Sequence, residues 1–275
     1  MVLPDLAEAS KDSRSMNIST NDEQMARQAI SLFDLIALDT YDAESRIVDL
    51  CHRAVTPLGA IASICVYPRF VLLARMTLDR MHLRDVRVIS VVNFPYGSAN
   101  LEIAESETRA AVMSGADEID LVYPFRTLLS GDRQTGKDMV AACRAACGPR
   151  TVLTVTLEVS DLRDPQVIRE ACQGAISAGA NFIKTSTGKL VGGPTPQAVR
   201  VMLETIAEVG GQVGIKFCGG LRTFADARLF LDMAGARFGP QWISAQRVRL
   251  VGSSLLDDIL LQLGLGAESS RGHGY

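Results

Sequence analysis

The chain has 275 residues, 47% of them hydrophobic and 21% charged, and its 31 acidic residues against 28 Lys and Arg give a formal net charge of -3. With no long basic run it is a poor match for nucleic acid or anionic lipid, and no apolar run approaches the roughly 18 residues of a membrane span. The opening MVLPDLAEASKD is acidic where a secretion signal is basic, so the expectation is a cytoplasmic protein.

Residues 1–20 are polar and read as an arm, with a short helix beginning near Asn21. Short apolar runs then recur at Leu32–Leu38, Ile61–Val66, Val86–Val92, Glu118–Val122, Val152–Leu157, Phe182–Thr185, Val213–Lys216 and Arg249–Gly252. Segments of helical period or composition follow them, among them Ala43–Ala54, Ala99–Ser114, Gly136–Cys147, Pro165–Ser177, Thr195–Val209 and Thr223–Met233. Eight βα units close most economically into a single (βα)8 barrel over residues 21–265, with 266–275 as a flexible tail, although an open doubly wound sheet shows the same alternation. The inward residues favour the barrel. Glu118 and Asp120 share one face of the fourth strand and Gly214 and Lys216 one face of the seventh, whereas a sheet covered on both sides would be apolar on both.

The six cysteines are scattered, and Cys143 and Cys147, four apart on a helix, have no close third ligand, so they read as packing. The three histidines, His52, His82 and His273, form no ligand spacing, and no metal or other cofactor is expected.

In NFIKTSTGK, residues 181–189, strand alternation puts Phe182, Lys184 and Ser186 on one face, so a lysine is aimed inward. A desolvated amine is the usual nucleophile of imine chemistry, although a strand-end lysine often just reaches water. SGADEID (114–120) and AGANFIK (178–184) echo each other: each glycine ends a helix, and Asp120 and Lys184 each follow five residues later. Strands four and six fill one layer of a barrel, which sets the carboxylate across from the amine. Lys216 ends the neighbouring strand, and its charge is expected to push the Lys184 pKa from about 10.4 towards roughly 7. Gly188-Lys189, Gly219-Gly220 and Gly252-Ser253-Ser254 follow strands six, seven and eight, where barrels hold phosphate.

IKTSTGK (183–189), GIKFCGGLR (214–222), GADEIDLVYPFR (115–126), VVNFPYG (91–97) and ICVYPRF (64–70) together resemble the deoxyribose-phosphate aldolases. The resemblance runs from about Asp34 to Ser254. It implies a metal-independent aldolase of deoxyribonucleoside breakdown that cleaves 2-deoxy-D-ribose 5-phosphate to acetaldehyde and D-glyceraldehyde 3-phosphate. Lys184 then matches the Schiff-base lysine, Lys216 the lysine that tunes it and Asp120 the proton-relay carboxylate. Asp34 and the terminal Tyr275 match supporting residues, and Gly188, Lys189, Gly219, Gly220, Ser253 and Ser254 match the phosphate site. Cys51, in LCH, resembles a thiol that aldehydes modify, and a homodimer is the family expectation. Phe217-Cys218 stands where the family has smaller residues, so Phe217 is expected to narrow the pocket, and Ile36 replaces a hydroxyl residue. These departures leave an alternative, a phosphosugar-binding barrel with lost or altered activity.

Overall fold

The computed structural model describes residues 20–265, and the polar arm before them and the tail with Tyr275 lie outside the described residues. Eight parallel strands close into a barrel: β1 (Phe33–Ala37), β2 (Ser63–Val66), β3 (Arg87–Val92), β4 (Glu118–Val122), β5 (Val152–Thr156), β6 (Phe182–Lys184), β7 (Gly214–Cys218) and β8 (Val248–Gly252). β8 pairs back onto β1, so no edge is left open, and the fold is a (βα)8 barrel rather than the open sheet. Among the described residues no helix is long and apolar enough to cross a membrane.

The helices between strands start where the sequence can satisfy their orphan N–H groups. Asn100, Asp164 and Thr195 each accept a backbone N–H of the following first turn, and Thr223 with Asp226 forms a reciprocal capping box. Gly115 and Gly179, both in the positive-φ region, follow the helices Leu101–Met113 and Pro165–Ser177, as the repeated small-Gly-Ala motif requires. Aliphatic residues on the outward faces of the strands pack with these helices into one continuous core.

Three boundaries differ from the sequence expectation. A helix over Val71–Arg80 follows β2, beyond those singled out in the sequence. The helix expected to stop at Met233 runs to Phe238, because Gly235 is carried inside it and Gly239, at φ 87°, is the residue that turns the chain. β7 runs two residues past Lys216 to Cys218, and that changes which of Phe217 and Cys218 meets the interior.

Period-2 alternation sorts the barrel interior by chemistry. On β2 and β3 the inward groups Cys65, Ile89 and Val91 form a small apolar cluster with Leu38, against which Ile36, Tyr67 and Phe94 pack. The arc that runs from β4 through β6, β7 and β8 to β1 contributes charged groups that are all buried. Its end strands flank β2 and β3, and Ser63 on β2 adds a hydroxyl to the charged set.

Candidate active site

Lys184 is 1% exposed and Lys216 is fully buried. They are register partners on β6 and β7, so two ammonium groups stand side by side. A buried ammonium without a counter-charge costs several kcal/mol, and the neighbouring strands supply the acids. Lys184 Nζ donates to Asp120 Oδ2 at 2.8 Å, and Lys216 Nζ donates to the other oxygen of the same carboxylate at 3.1 Å. Counted along the ladders, Asp120 is level with Thr154 while Lys184 is level with Thr156. The strand tilt of a closed barrel takes up this offset and brings β4 and β6 residues into one layer.

Lys216 has two further acids. Glu118 Oε2 accepts from its Nζ at 3.0 Å, and Asp34 Oδ2 lies 3.2 Å away, off the line of a good hydrogen bond. The other oxygens of these two acids are taken by Arg249 on β8, whose Nη1 reaches Asp34 Oδ1 at 2.7 Å and whose Nη2 reaches Glu118 Oε1 at 2.9 Å. Ser63 Oγ donates to Asp34 Oδ1 at 2.5 Å. The buried set is thus three acids, Asp34, Glu118 and Asp120, with three cations, Lys184, Lys216 and Arg249, which is neutral overall.

This balance overturns the expectation of a depressed lysine. Burial, the largest single influence, works to lower the Lys184 pKa, but the charge and hydrogen bond of Asp120 together with smaller contributions from Cys218 and Cys65 outweigh it, so the net shift is upward. Burial lowers Lys216 likewise, and Asp120, Asp34 and Glu118 raise it above an ordinary lysine. Burial pushes Asp120 up, yet Lys184 and Lys216 hold it well below the usual carboxylate range. The sequence expectation weighs the second lysine and burial above the restraint from Asp120; in the structure Asp120 at Lys184, and Asp120, Asp34 and Glu118 at Lys216, carry both shifts upward.

The loops above the strands are held by side-chain to backbone bonds. Thr185 Oγ1 donates to the Cys218 carbonyl at 2.8 Å and accepts from its N–H at 2.9 Å, tying the ends of β6 and β7. Glu158, in the left-handed region at φ 59°, accepts from both the N–H and the hydroxyl of Thr187 and fixes the turn into Gly188. Gly193 packs so closely that an added Cβ would lie 2.6 Å from the Gly219 carbonyl. Gly219 and Gly220 follow β7 with positive φ, and the helix Ser254–Gln262 follows β8 with Ser253 as an N-cap that makes no side-chain capping bond. Its first-turn N–H groups lack that partner, which is the chemistry of an anion site. Lys189 extends to Asp39, 2.7 Å from its Oδ1, in the loop after β1. Ser186 Oγ is buried beside Gly219 without a hydrogen-bond partner among the described residues.

Two sequence expectations are corrected here. Phe217 does not narrow the pocket: it points outward from β7 and stacks on Phe230, ring centroids 5.3 Å apart, leaving the inward place to Cys218. Cys51 does not face an aldehyde, since its thiol lies in the helix layer against the Ala74 carbonyl and burial pushes it up to about 11. Arg249, Ser63 and Glu158 are not among the site residues named from the sequence; alternation puts Glu118 on the inward face with Asp120, and the same rule applied to β8 is the signal that could have found Arg249.

A family model described as DeoC/LacD family aldolase matches residues 21–238. A structure from Coccidioides immitis, described as a deoxyribose-phosphate aldolase, is 27% identical with a TM-score of 0.72 and covers 83% of each chain. An apo structure from Toxoplasma gondii, described in the same way, is 24% identical with a TM-score of 0.82 over 90% of this chain and 99% of that one. A deoxyribose phosphate aldolase from Aeropyrum pernix, described as a unique tetramer, is 22% identical with a TM-score of 0.68 over 90% of this chain. The last two are likenesses of fold.

Proposed function

The chain belongs to the DeoC/LacD family of aldolases, and on that premise we propose that it reversibly cleaves 2-deoxy-D-ribose 5-phosphate into acetaldehyde and D-glyceraldehyde 3-phosphate through a Schiff base on Lys184. The observation that carries the assignment is the inequality of the two lysines. Lys216 sits within 3.2 Å of three carboxylates, while among the described residues Lys184 has Asp120 as its one close ionic partner. Once Lys184 has passed its proton to Asp120, no second close carboxylate holds it in the charged form, as two would hold Lys216.

The steps follow from that geometry. Lys184 passes a proton to Asp120 over the 2.8 Å bond, and its free amine adds to the aldehyde carbon of the opened sugar. Loss of water leaves a protonated imine. Asp120, having given its proton to the departing water, takes the C3 hydroxyl proton through a water; the C2–C3 electron pair moves into the imine, and glyceraldehyde 3-phosphate departs, leaving an enamine on Lys184. A proton returned from the Asp120–Lys216 pair through water to the terminal carbon, followed by hydrolysis, frees acetaldehyde and regenerates the amine. The substrate phosphate is held by the backbone at Gly188, Gly219 and Gly220 and the helix start at Ser253 and Ser254, with Lys189 at the rim. Fixing this end orients C1 over Lys184. Of the three departures that motivate a binding-only barrel, Phe217, Cys218 and Ile36, the bulkiest, Phe217, faces the helices, and this favours the catalytic reading.

Borohydride reduction in the presence of acetaldehyde tests the proposal. Mass spectrometry should find an ethyl group on Lys184, and deoxyribose phosphate should yield both products with chelator present. A protein that binds the sugar yet gives no adduct would be a binding barrel.

A further inference from the structure

Arg249 and Glu118 have no place in the steps above, although both are buried at the heart of the charge cluster. Their geometry is directional. Arg249 holds one oxygen each of Asp34 and Glu118, at 2.7 and 2.9 Å, and the second oxygen of each acid is thereby turned toward Lys216, at 3.2 and 3.0 Å. With Asp120, the Lys216 ammonium has three carboxylates around it, hydrogen-bonded to Glu118 and Asp120 and ion-paired with Asp34. The Phe182 ring beneath, 5.5 Å from Lys216 Nζ and 5.8 Å from the Arg249 guanidinium carbon, fills the remaining approach with apolar surface.

We infer that Arg249 and Glu118 are positioning residues that fix Lys216 as the permanent cation of the site and thereby decide that the imine forms on Lys184 and not on its neighbour. The inference rests on the reaction proposed above. Without Arg249, three buried acids would face two lysines, and Asp34 and Glu118 would be free to turn. Without the Glu118 charge, Lys216 keeps two acids and becomes a second candidate nucleophile in reach of the same aldehyde. Neither residue lies at the mouth. Glu118 and Arg249 instead line a cavity of about 270 Å³ on the opposite, N-terminal face of the barrel, together with Asn181, Gln212 and Arg247. They can be changed with no substrate contact removed, and a small cation can reach the place of the Arg249 head from outside.

The experiment compares wild type, Glu118→Gln and Arg249→Ala, each checked for native circular dichroism, by peptide mapping of the borohydride-trapped acetaldehyde adduct and by steady-state kinetics. Wild type should carry the adduct on Lys184. In Glu118→Gln the share on Lys216 should rise about tenfold or more, and in both variants kcat should fall about tenfold or more with KM held within about twofold. Guanidinium at sub-denaturing concentration should restore kcat to Arg249→Ala and leave wild type unchanged, a rescue that a merely weakened fold would not show. If Arg249→Ala does not fold, the Glu118→Gln adduct map decides alone. Folded variants whose adduct stays wholly on Lys184, with KM rather than kcat altered, overturn the inference. Absence of the adduct from wild type would sink the reaction itself, a distinguishable failure.

Discussion

Asp120 divides its two oxygens between two lysines, and this is the most consequential single contact in the molecule. Replacing it by Asn keeps the shape but leaves Lys184 no group that can take its proton. The adduct should still form, from amine that has lost its proton to solvent, while turnover falls by about 10²- to 10⁴-fold, as loss of a positioned acid-base group does; near-normal kcat in a deoxyribose phosphate assay would remove the role. Phe217 supplies the opposite case. Buried and stacked on Phe230 in the helix layer, it should cost about 3–5 kcal/mol on truncation to Ala, read by denaturant melts, with KM unchanged; a raised affinity for bulkier aldehydes would mean that it faces the pocket after all. Lys184, Lys216 and Asp120 were legible in the sequence because a period of two assigns faces with no knowledge of the fold. The sign of the lysine shifts was not. For Lys184 it turns on how closely Asp120 approaches, and for Lys216 on Asp34, Glu118 and Arg249 as well, residues of separate strands that only barrel closure brings together.

At the level of elements, the site depends on where strands stop and what their loops allow. The glycine stops at Gly115 and Gly179 could be read directly, since a helix followed by Gly-Ala needs a positive φ there. Gly235 and Gly239 could not be told apart by the same rule, because a helix tolerates an interior glycine at a cost of about 1 kcal/mol when neighbouring packing holds it. The end of β7 was hidden for a related reason. Phe217 and Cys218 suit strand or loop alike, and the pairing of Leu250 and Val251 with them is a long-range fact. The loops after β6 and β7 touch at Gly193 and Gly219, where a Cβ would meet a carbonyl at 2.6 Å. Gly193→Ala should therefore push the Gly219–Gly220 turn aside and raise KM for deoxyribose phosphate about tenfold, while acetaldehyde, which has no phosphate, is trapped on Lys184 at the wild-type rate. Equal losses for both compounds would show that the loop contact shapes the reacting centre instead of the phosphate end.

For the whole molecule, closing eight strands around a neutral set of three acids and three cations has two separate pH consequences. Asp34 and Asp120 are depressed, so their contribution to stability is present above the unfolded carboxylate value of about 3.9 and is lost as pH falls through their lower folded values. Lys184 and Lys216 are raised, so theirs is complete below about 10.4 and is lost as pH climbs through the folded values. Between these limits Asp34, Asp120, Lys184 and Lys216 keep their charges, and the Tm should be level from about pH 5 to 9 as far as these four determine it. Adduct formation should be level over the same range, for a less obvious reason: the Lys184 proton moves to Asp120 and stays inside the barrel, so the free-amine form is a tautomer of a neutral pair and its population does not depend on bulk pH. In Asp120→Asn the proton must leave to solvent. The trapping rate of that variant should then climb about tenfold per pH unit until Lys184 has lost its proton, while wild type stays flat. Stopped-flow mixing with acetaldehyde and borohydride across this range separates the two. A wild-type rate that climbs as steeply as the variant's would mean that the 2.8 Å contact between β4 and β6 is an ion pair and not a path for the proton.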